Sequence, residues 1–127
     1  EHRAKMSVTI RQQVLEGVRH LPHGKGCFYW SKLIGSDVWL RSSYELAYAK
    51  LLDHLDVAWF YEPIKFPING LGSYAPDFFL PELNLWVEIK GFWREDAKIK
   101  YASFVLQYPY LEIKVVGKEQ LVILGAM

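Results

Sequence analysis

The chain has 127 residues, 51% hydrophobic and 16% aromatic, with a net charge of +1. That is one domain with a real core and no apolar run near the length of a membrane span. A single cysteine, Cys27, excludes an internal disulfide, and no signal peptide is visible, so a cytosolic protein is the simplest reading.

Charge is unevenly distributed along the chain. Residues 1–41 carry seven Lys/Arg against three acids, and the remainder eight against eleven. A basic front and an acidic body follow if the body gathers carboxylates into a site and the front touches phosphate. Chance asymmetry in a short leader is the alternative. The chain begins at Glu1 without a methionine, as a piece of something longer would.

Met6, Ile10 and Val14 recur at helical spacing among basic and polar residues, so residues 2–19 read as an amphipathic helix. His20 to Gly26 is a loop by its proline and glycines. His20, His23 and Cys27 have zinc-ligand spacing, but no fourth ligand lies nearby, so the solvated loop is the reading. Phe28-Tyr29-Trp30 is an apolar run and Val38-Trp39-Leu40 a short strand candidate. Ser42-Ser43-Tyr44-Glu45 fits a capping box and starts a helix through Asp56, with Tyr44, Tyr48, Leu51, Leu52 and Leu55 at helical intervals. Glu45 is either a cap residue favoured by the helix dipole or an acid leaning inward beside Tyr48, Ala49 and Leu52; the pattern leaves both open.

Val57–Tyr61 reads as a buried strand stopped by Glu62-Pro63, and Lys65–Ile68 as a short one before the turn Asn69-Gly70-Leu71-Gly72. Tyr74–Leu80 and Leu85–Lys90 then read as a hairpin around Pro81–Asn84, with Pro76 making the first strand an edge or bending it just before Asp77. A helix is predicted from Arg94 to Tyr108, ended by Pro109, on the stripe Ala97, Tyr101, Phe104, Val105 and Tyr108. Glu112–Val116 is a further strand and Leu121–Leu124 a last apolar run, with no internal repeat. The fold class is α/β, a central mixed sheet flanked by helices behind a basic N-terminal helical leader.

Side chains alternate across a strand, so Asp77 shares a face with Ala75 and Phe79, and Glu88 and Lys90 share one with Trp86. Two acids and a lysine are thus written into strands that should be buried. Burying charge is costly unless it is paired or holds a metal. Two carboxylates on neighbouring strands can share Mg²⁺, which prefers oxygen ligands and keeps several waters, and the carbonyl of Ile89 lies beside them. Such a metal polarises a phosphate, and Lys90 is placed to orient water or neutralise developing charge. An ion pair between Lys90 and either acid, buried for register, is the competing account. Charge clusters with perturbed acidity concentrate at functional sites, which favours the site.

Pro76-Asp77 followed by Glu88-Ile89-Lys90 resembles the PD-(D/E)XK nuclease superfamily of restriction, repair and phage-borne endonucleases. The helix carrying Glu45 matches that fold's acidic helix, and the helix and strand after Lys90 complete its core; the similarity covers residues 38 to about 118. More narrowly, Trp39–Glu45, Phe60–Pro63 and Tyr74–Phe78 look like phage and intron-associated homing-type endonucleases. There a DNA-binding segment often accompanies the nuclease domain, so the resemblance implies residues 1–37 as a basic leader that ends such a segment and 38–127 as the nuclease domain.

The resemblance implies a Mg²⁺-dependent DNA endonuclease, with Mn²⁺ as a substitute, acting in the cytoplasm of a bacterial or phage-infected cell and leaving a 5′-phosphate and a 3′-hydroxyl. Asp77, Glu88 and the Ile89 carbonyl would hold metal, Glu45 would join the shell through a water, and Lys90 would assist. Arg41, Arg94, Lys98 and Lys100 are candidate phosphate contacts, or ordinary solvated charges. Alternatives are a non-cleaving DNA-binding module of nuclease-like fold and a transposase, repair or junction-resolving nuclease of the same superfamily. One such site attacks one phosphodiester at a time, so a homodimer on DNA is expected for a double-strand break, with Phe28–Trp30 and Trp39 as a contact or as core.

Overall fold

Alternating and helical apolar spacings become strands with helices packed on both faces. The structure, a computed structural model, describes residues 26–127. The predicted leader helix, His20 and His23 lie outside the described residues. Strands β1 (Cys27–Ser31) and β2 (Ser36–Leu40) form an antiparallel hairpin in which Cys27 faces Leu40. Both residues belong to the core, so the boundary expected between residues 37 and 38 falls inside β2, within the folded unit. Cys27, the third member of the zinc-spaced trio, is a buried core side chain.

Helix α1 (Ser43–His54) starts where the cap signal put it: Ser42 Oγ accepts the Glu45 N–H at 3.2 Å. It stops short of Asp56, which adopts a left-handed φ of 59°, while the Val57 N–H turns back to the Leu52 carbonyl. Leu55, expected on the apolar stripe, is exposed there. The buried stripe is Glu45, Leu46, Tyr48, Ala49 and Leu52.

The remaining elements are β3 (Phe60–Tyr61), β4 (Phe66–Ile68), β5 (Gly72–Tyr74), β6 (Phe78–Leu80), β7 (Leu85–Lys90), α2 (Glu95–Gln107), β8 (Ile113–Gly117) and α3 (Lys118–Ile123). The main sheet has the order β3-β6-β7-β8. Its first three strands are antiparallel, and β8 lies parallel to β7 because α2 carries the chain back across the sheet. The protein is therefore a mixed α/β fold with sheets flanked by helices. Hairpin β4–β5 stands as a separate small sheet turned by residues 69–71, with Gly70 and Gly72 at φ of 76° and 85°. No described helix is long and apolar enough to cross a membrane.

Two strand expectations change, and one apolar run gains an element. The run Val57–Tyr61 yields only two strand residues, since Val57–Trp59 leave the ladder and Trp59 fills the core instead. Tyr74–Leu80 breaks into β5 and β6 around Ala75-Pro76-Asp77, the bend that Pro76 dictates. The last apolar run, given no element from the sequence, falls largely in α3, which buries Leu121 against the α1 side of the core.

Alternation on the central strands sorts two aromatic layers. Phe78, Leu80, Val87 and Ile89 face α1, with Phe78 at 5.1 Å from the Tyr48 ring. Phe79 and Trp86 face the other way, 4.5 Å apart, and Phe66 bridges Trp86 to Phe104 of α2 at 5.1 Å from each. Each fully buried side chain of this size stabilises by roughly 1.5–3 kcal/mol. On α2, Tyr101, Phe104 and Tyr108 make the packing, whereas Val105 of the predicted stripe is exposed. The helix ends at Gln107, one residue early, because a residue before proline avoids helical geometry.

Candidate functional site

The acids sit where β6 and β7 run side by side. On β7 Val87 and Ile89 take the core face, which leaves Trp86, Glu88 and Lys90 on the other. Asp77, just before β6, is bolted to β7 by its own carboxylate: Oδ2 accepts the Ile89 N–H at 2.7 Å. Its backbone carbonyl accepts the Glu62 N–H at 2.9 Å, which ties the same residue to the end of β3. Asp77 and Glu88 are only 2% and 3% exposed. Glu88 takes the Tyr74 hydroxyl on Oε1 at 2.6 Å and the Lys90 ammonium on Oε2 at 3.2 Å. Lys90 also stands 5.3 Å over the Trp93 ring.

Glu45 is the inward-leaning acid, 4% exposed. Only half of the expected capping box forms. Ser42 caps the helix, but Glu45 Oε1 accepts the Arg41 N–H at 2.8 Å and the Tyr61 hydroxyl at 3.0 Å. The Glu45 side chain therefore joins the inner cluster rather than the cap. Arg41, expected as a phosphate contact, folds its guanidinium inward: Nη2 is 3.1 Å from Asp77 Oδ1 and 3.8 Å from Glu45 Oε2, and pairs with Glu62.

Four carboxylates, Glu45, Glu62, Asp77 and Glu88, therefore share a small volume with two cations, Arg41 and Lys90. Burial pushes the Asp77 carboxyl up to about 9, and the charges of Glu88 and Glu45 push the same way. Burial raises Glu88 too, against the Tyr74 hydrogen bond and Lys90, which pull it back. Glu62 is raised by burial despite Arg41. The Tyr74 phenol is raised by burial and then by Glu88. The Lys90–Glu88 ion pair exists, as the competing account requires, but it leaves Glu45, Glu62 and Asp77 to share the one guanidinium of Arg41.

Glu62, Tyr61 and Tyr74 belong to this constellation and were not singled out as site residues from sequence. The available signals were an acid closing a two-residue strand ahead of Pro63, and a tyrosine two residues before Pro76. Glu62 holds a left-handed φ of 47°, uncommon for a side chain of its length and frequent where function over-determines the backbone. The other candidate phosphate contacts are engaged within the chain. Arg94 is 3.7 Å from Asp96, Lys98 is 3.8 Å from Glu95, and Lys100 donates to the Ser73 carbonyl at 3.3 Å.

Neither a protein-family model, nor a curated protein, nor a solved structure matches the chain. The chemistry of the site is therefore argued from its own atoms.

Among the described residues no three His, Cys, Asp or Glu side chains are grouped so as to hold a metal ion by themselves. A hard cation such as Mg²⁺ asks for less, because it takes one or two carboxylates and keeps water for the rest. Asp77 and Glu88 are oxygen donors on adjacent strands whose charged forms burial disfavours, which is the situation a dication relieves. The backbone of Ile89 runs beside them. Carboxylate and carbonyl oxygens are the donor types that Mg²⁺ and Mn²⁺ take.

Proposed function

We propose that this chain is a Mg²⁺-dependent DNA endonuclease hydrolysing phosphodiester bonds, of the homing type within the PD-(D/E)XK superfamily, with Mn²⁺ able to substitute. The observation that carries the reading is the pair of buried acids on adjacent strands, Asp77 and Glu88, with Lys90 beside them and Glu45 converging from the helix. Such a set is poor stability design, since apolar residues of similar volume would stabilise the sheet more. Charge held against that cost is characteristic of a working site.

Asp77, Glu88 and the Ile89 carbonyl would hold the metal, and Glu45 would reach it through a water. The bound ion would supply Lewis-acid polarisation of the scissile phosphate and a more acidic water. The chain's own residues do the positioning. The Ile89 N–H fixes the Asp77 carboxylate in place, and the Tyr74 hydroxyl fixes that of Glu88. Lys90, held between Glu88 and Trp93, keeps an ammonium at the edge of the acids, where it stabilises charge that grows on phosphate oxygens. DNA is the proposed partner, bound by a homodimer where both strands are cut.

Incubating the protein with duplex, nicked and branched DNA, with and without Mg²⁺, tests the reading. Asp77→Ala, Glu88→Ala and Lys90→Ala are each expected to lower the cleavage rate by roughly two to four orders of magnitude. DNA affinity should change little, because these are transition-state roles. Near wild-type cutting by Asp77→Ala or Glu88→Ala overturns the assignment. A second reading is a DNA-binding module that does not cut. It is favoured by one observation, that each carboxylate oxygen of Asp77 and Glu88 is already engaged by an internal donor. Folded wild-type protein that binds DNA and never cleaves it with either ion would decide for that module.

A further inference from the structure

The side chain of Arg41 is 58% exposed, yet its Nη2 reaches in to three acids, 3.1 Å from Asp77, 3.8 Å from Glu45 and paired with Glu62. Long basic side chains ordinarily lay their stems on the protein and keep the charge in solvent. Here desolvation works against the guanidinium, and Tyr61, Glu62, Glu45 and Asp77 together outweigh it and hold the proton more firmly than in a free arginine.

The donors around the two buried acids are not equally replaceable. The Ile89 N–H belongs to the backbone of β7. The Tyr74 phenol is packed against Phe104 and Tyr101, with ring centroids 5.0 and 6.5 Å away. The Lys90 side chain is 25% exposed and lies over Trp93. Of these donors Arg41 combines a grip on Asp77 with a long side chain, 58% exposed, that can swing out.

We propose that Arg41 is the resident counter-cation of the acid cluster: it competes with the divalent metal for Asp77 and Glu45, and metal binding releases its guanidinium to take a phosphate of the nucleic acid. This deepens the nuclease reading and rests on it. A dication and a guanidinium on neighbouring oxygens repel each other, and the buried acids cannot move apart, so the flexible partner leaves. A freed planar guanidinium is a good bidentate ligand for phosphate. Metal and nucleic acid then bind cooperatively, and linkage makes the effect reciprocal. Arg41 is on this account a positioning residue that arms phosphate binding only when the metal is in place.

The test uses the full chain and Ca²⁺, chosen so that DNA is retained rather than consumed. Calorimetry measures Ca²⁺ affinity without DNA, and fluorescence anisotropy measures the affinity of a labelled duplex with and without saturating Ca²⁺. Arg41→Ala is expected to bind Ca²⁺ roughly tenfold tighter or more, because a like charge has gone from a partly screened site. Its duplex affinity is expected to lose the rise with Ca²⁺ that wild type shows. Arg41→Lys keeps the charge but not the fork, and is expected to fall between the two. It decides alone if Arg41→Ala proves unfolded by circular dichroism. Ca²⁺ affinity unchanged or weakened in a folded variant overturns the inference while leaving the nuclease reading intact. Folded wild type and variants that all fail to bind Ca²⁺, Mg²⁺ or Mn²⁺ overturn both.

Discussion

Replacing Glu45 by Gln separates its two duties. The Gln carbonyl can accept the same two hydrogen bonds, from the Arg41 N–H at 2.8 Å and the Tyr61 hydroxyl at 3.0 Å. Only the negative charge is lost, and its ion pair with the exposed Arg41 at 3.8 Å is weak and screened. Stability should therefore move by less than about 1 kcal/mol. Glu45→Ala removes the shared acceptor of the part-buried Tyr61 hydroxyl and the Arg41 N–H, which keeps only a long bond of 3.4 Å to that hydroxyl. At about 1 kcal/mol for each part-buried group left without its acceptor, the expected loss is roughly 2 kcal/mol. Ser42→Ala removes one cap bond of 3.2 Å and should lose about 1 kcal/mol, or roughly 3–5 °C in melting temperature, with cleavage intact. Urea unfolding of the three variants beside a cleavage time course reads both duties. If Glu45 serves the metal, Glu45→Gln melts like wild type and cuts at least about tenfold slower. Glu45→Gln that cuts at the wild-type rate refutes the metal role. A variant that melts as low as Glu45→Ala refutes the hydrogen-bond reasoning.

Metal-free protein should lose stability as pH rises. Asp77 in the fold holds its proton up to about 9 against an ordinary value of 3.8, so between those values the folded state binds more protons than the unfolded one. Its contribution is present below about 4 and is lost toward 9, so the melting temperature should decline on the alkaline side. Asp77→Asn should flatten that decline and added Mg²⁺ reverse it; a profile that rises from pH 5 to 9 contradicts the electrostatics. Gly91→Ala should destabilise by more than about 1 kcal/mol, because a methyl there meets the Tyr44 ring; an unchanged urea midpoint contradicts this. On supercoiled plasmid a dimer should give linear product early. Nicked circles that dominate at every protein concentration, with a monomeric mass on DNA, rule the dimer out. The half-exposed Phe28 and Trp39, edge to face at 5.0 Å, are the side chains to replace first in that assay.

What the sequence by itself determined was local or period-bound. The Ser42 cap follows from side-chain chemistry three residues away, the break before Asp77 from a proline that cannot join a ladder, and the common face of Trp86, Glu88 and Lys90 from alternation. The inward lean of Glu45 was one of two open readings, since its neighbours on the helix were apolar but its position also suited a cap. Tertiary structure decided the rest because the partners are distant along the chain. Arg41 meets Asp77 across 36 positions and Tyr74 meets Glu88 across 14, so no spacing rule connects them. The parallel direction of β8 depends on α2 crossing the sheet, and the short α3 depends on a core vacancy that Leu121 fills. An acid's place in a strand is written in the strand; which cation neutralises it is settled only when separate elements close around the same buried charge.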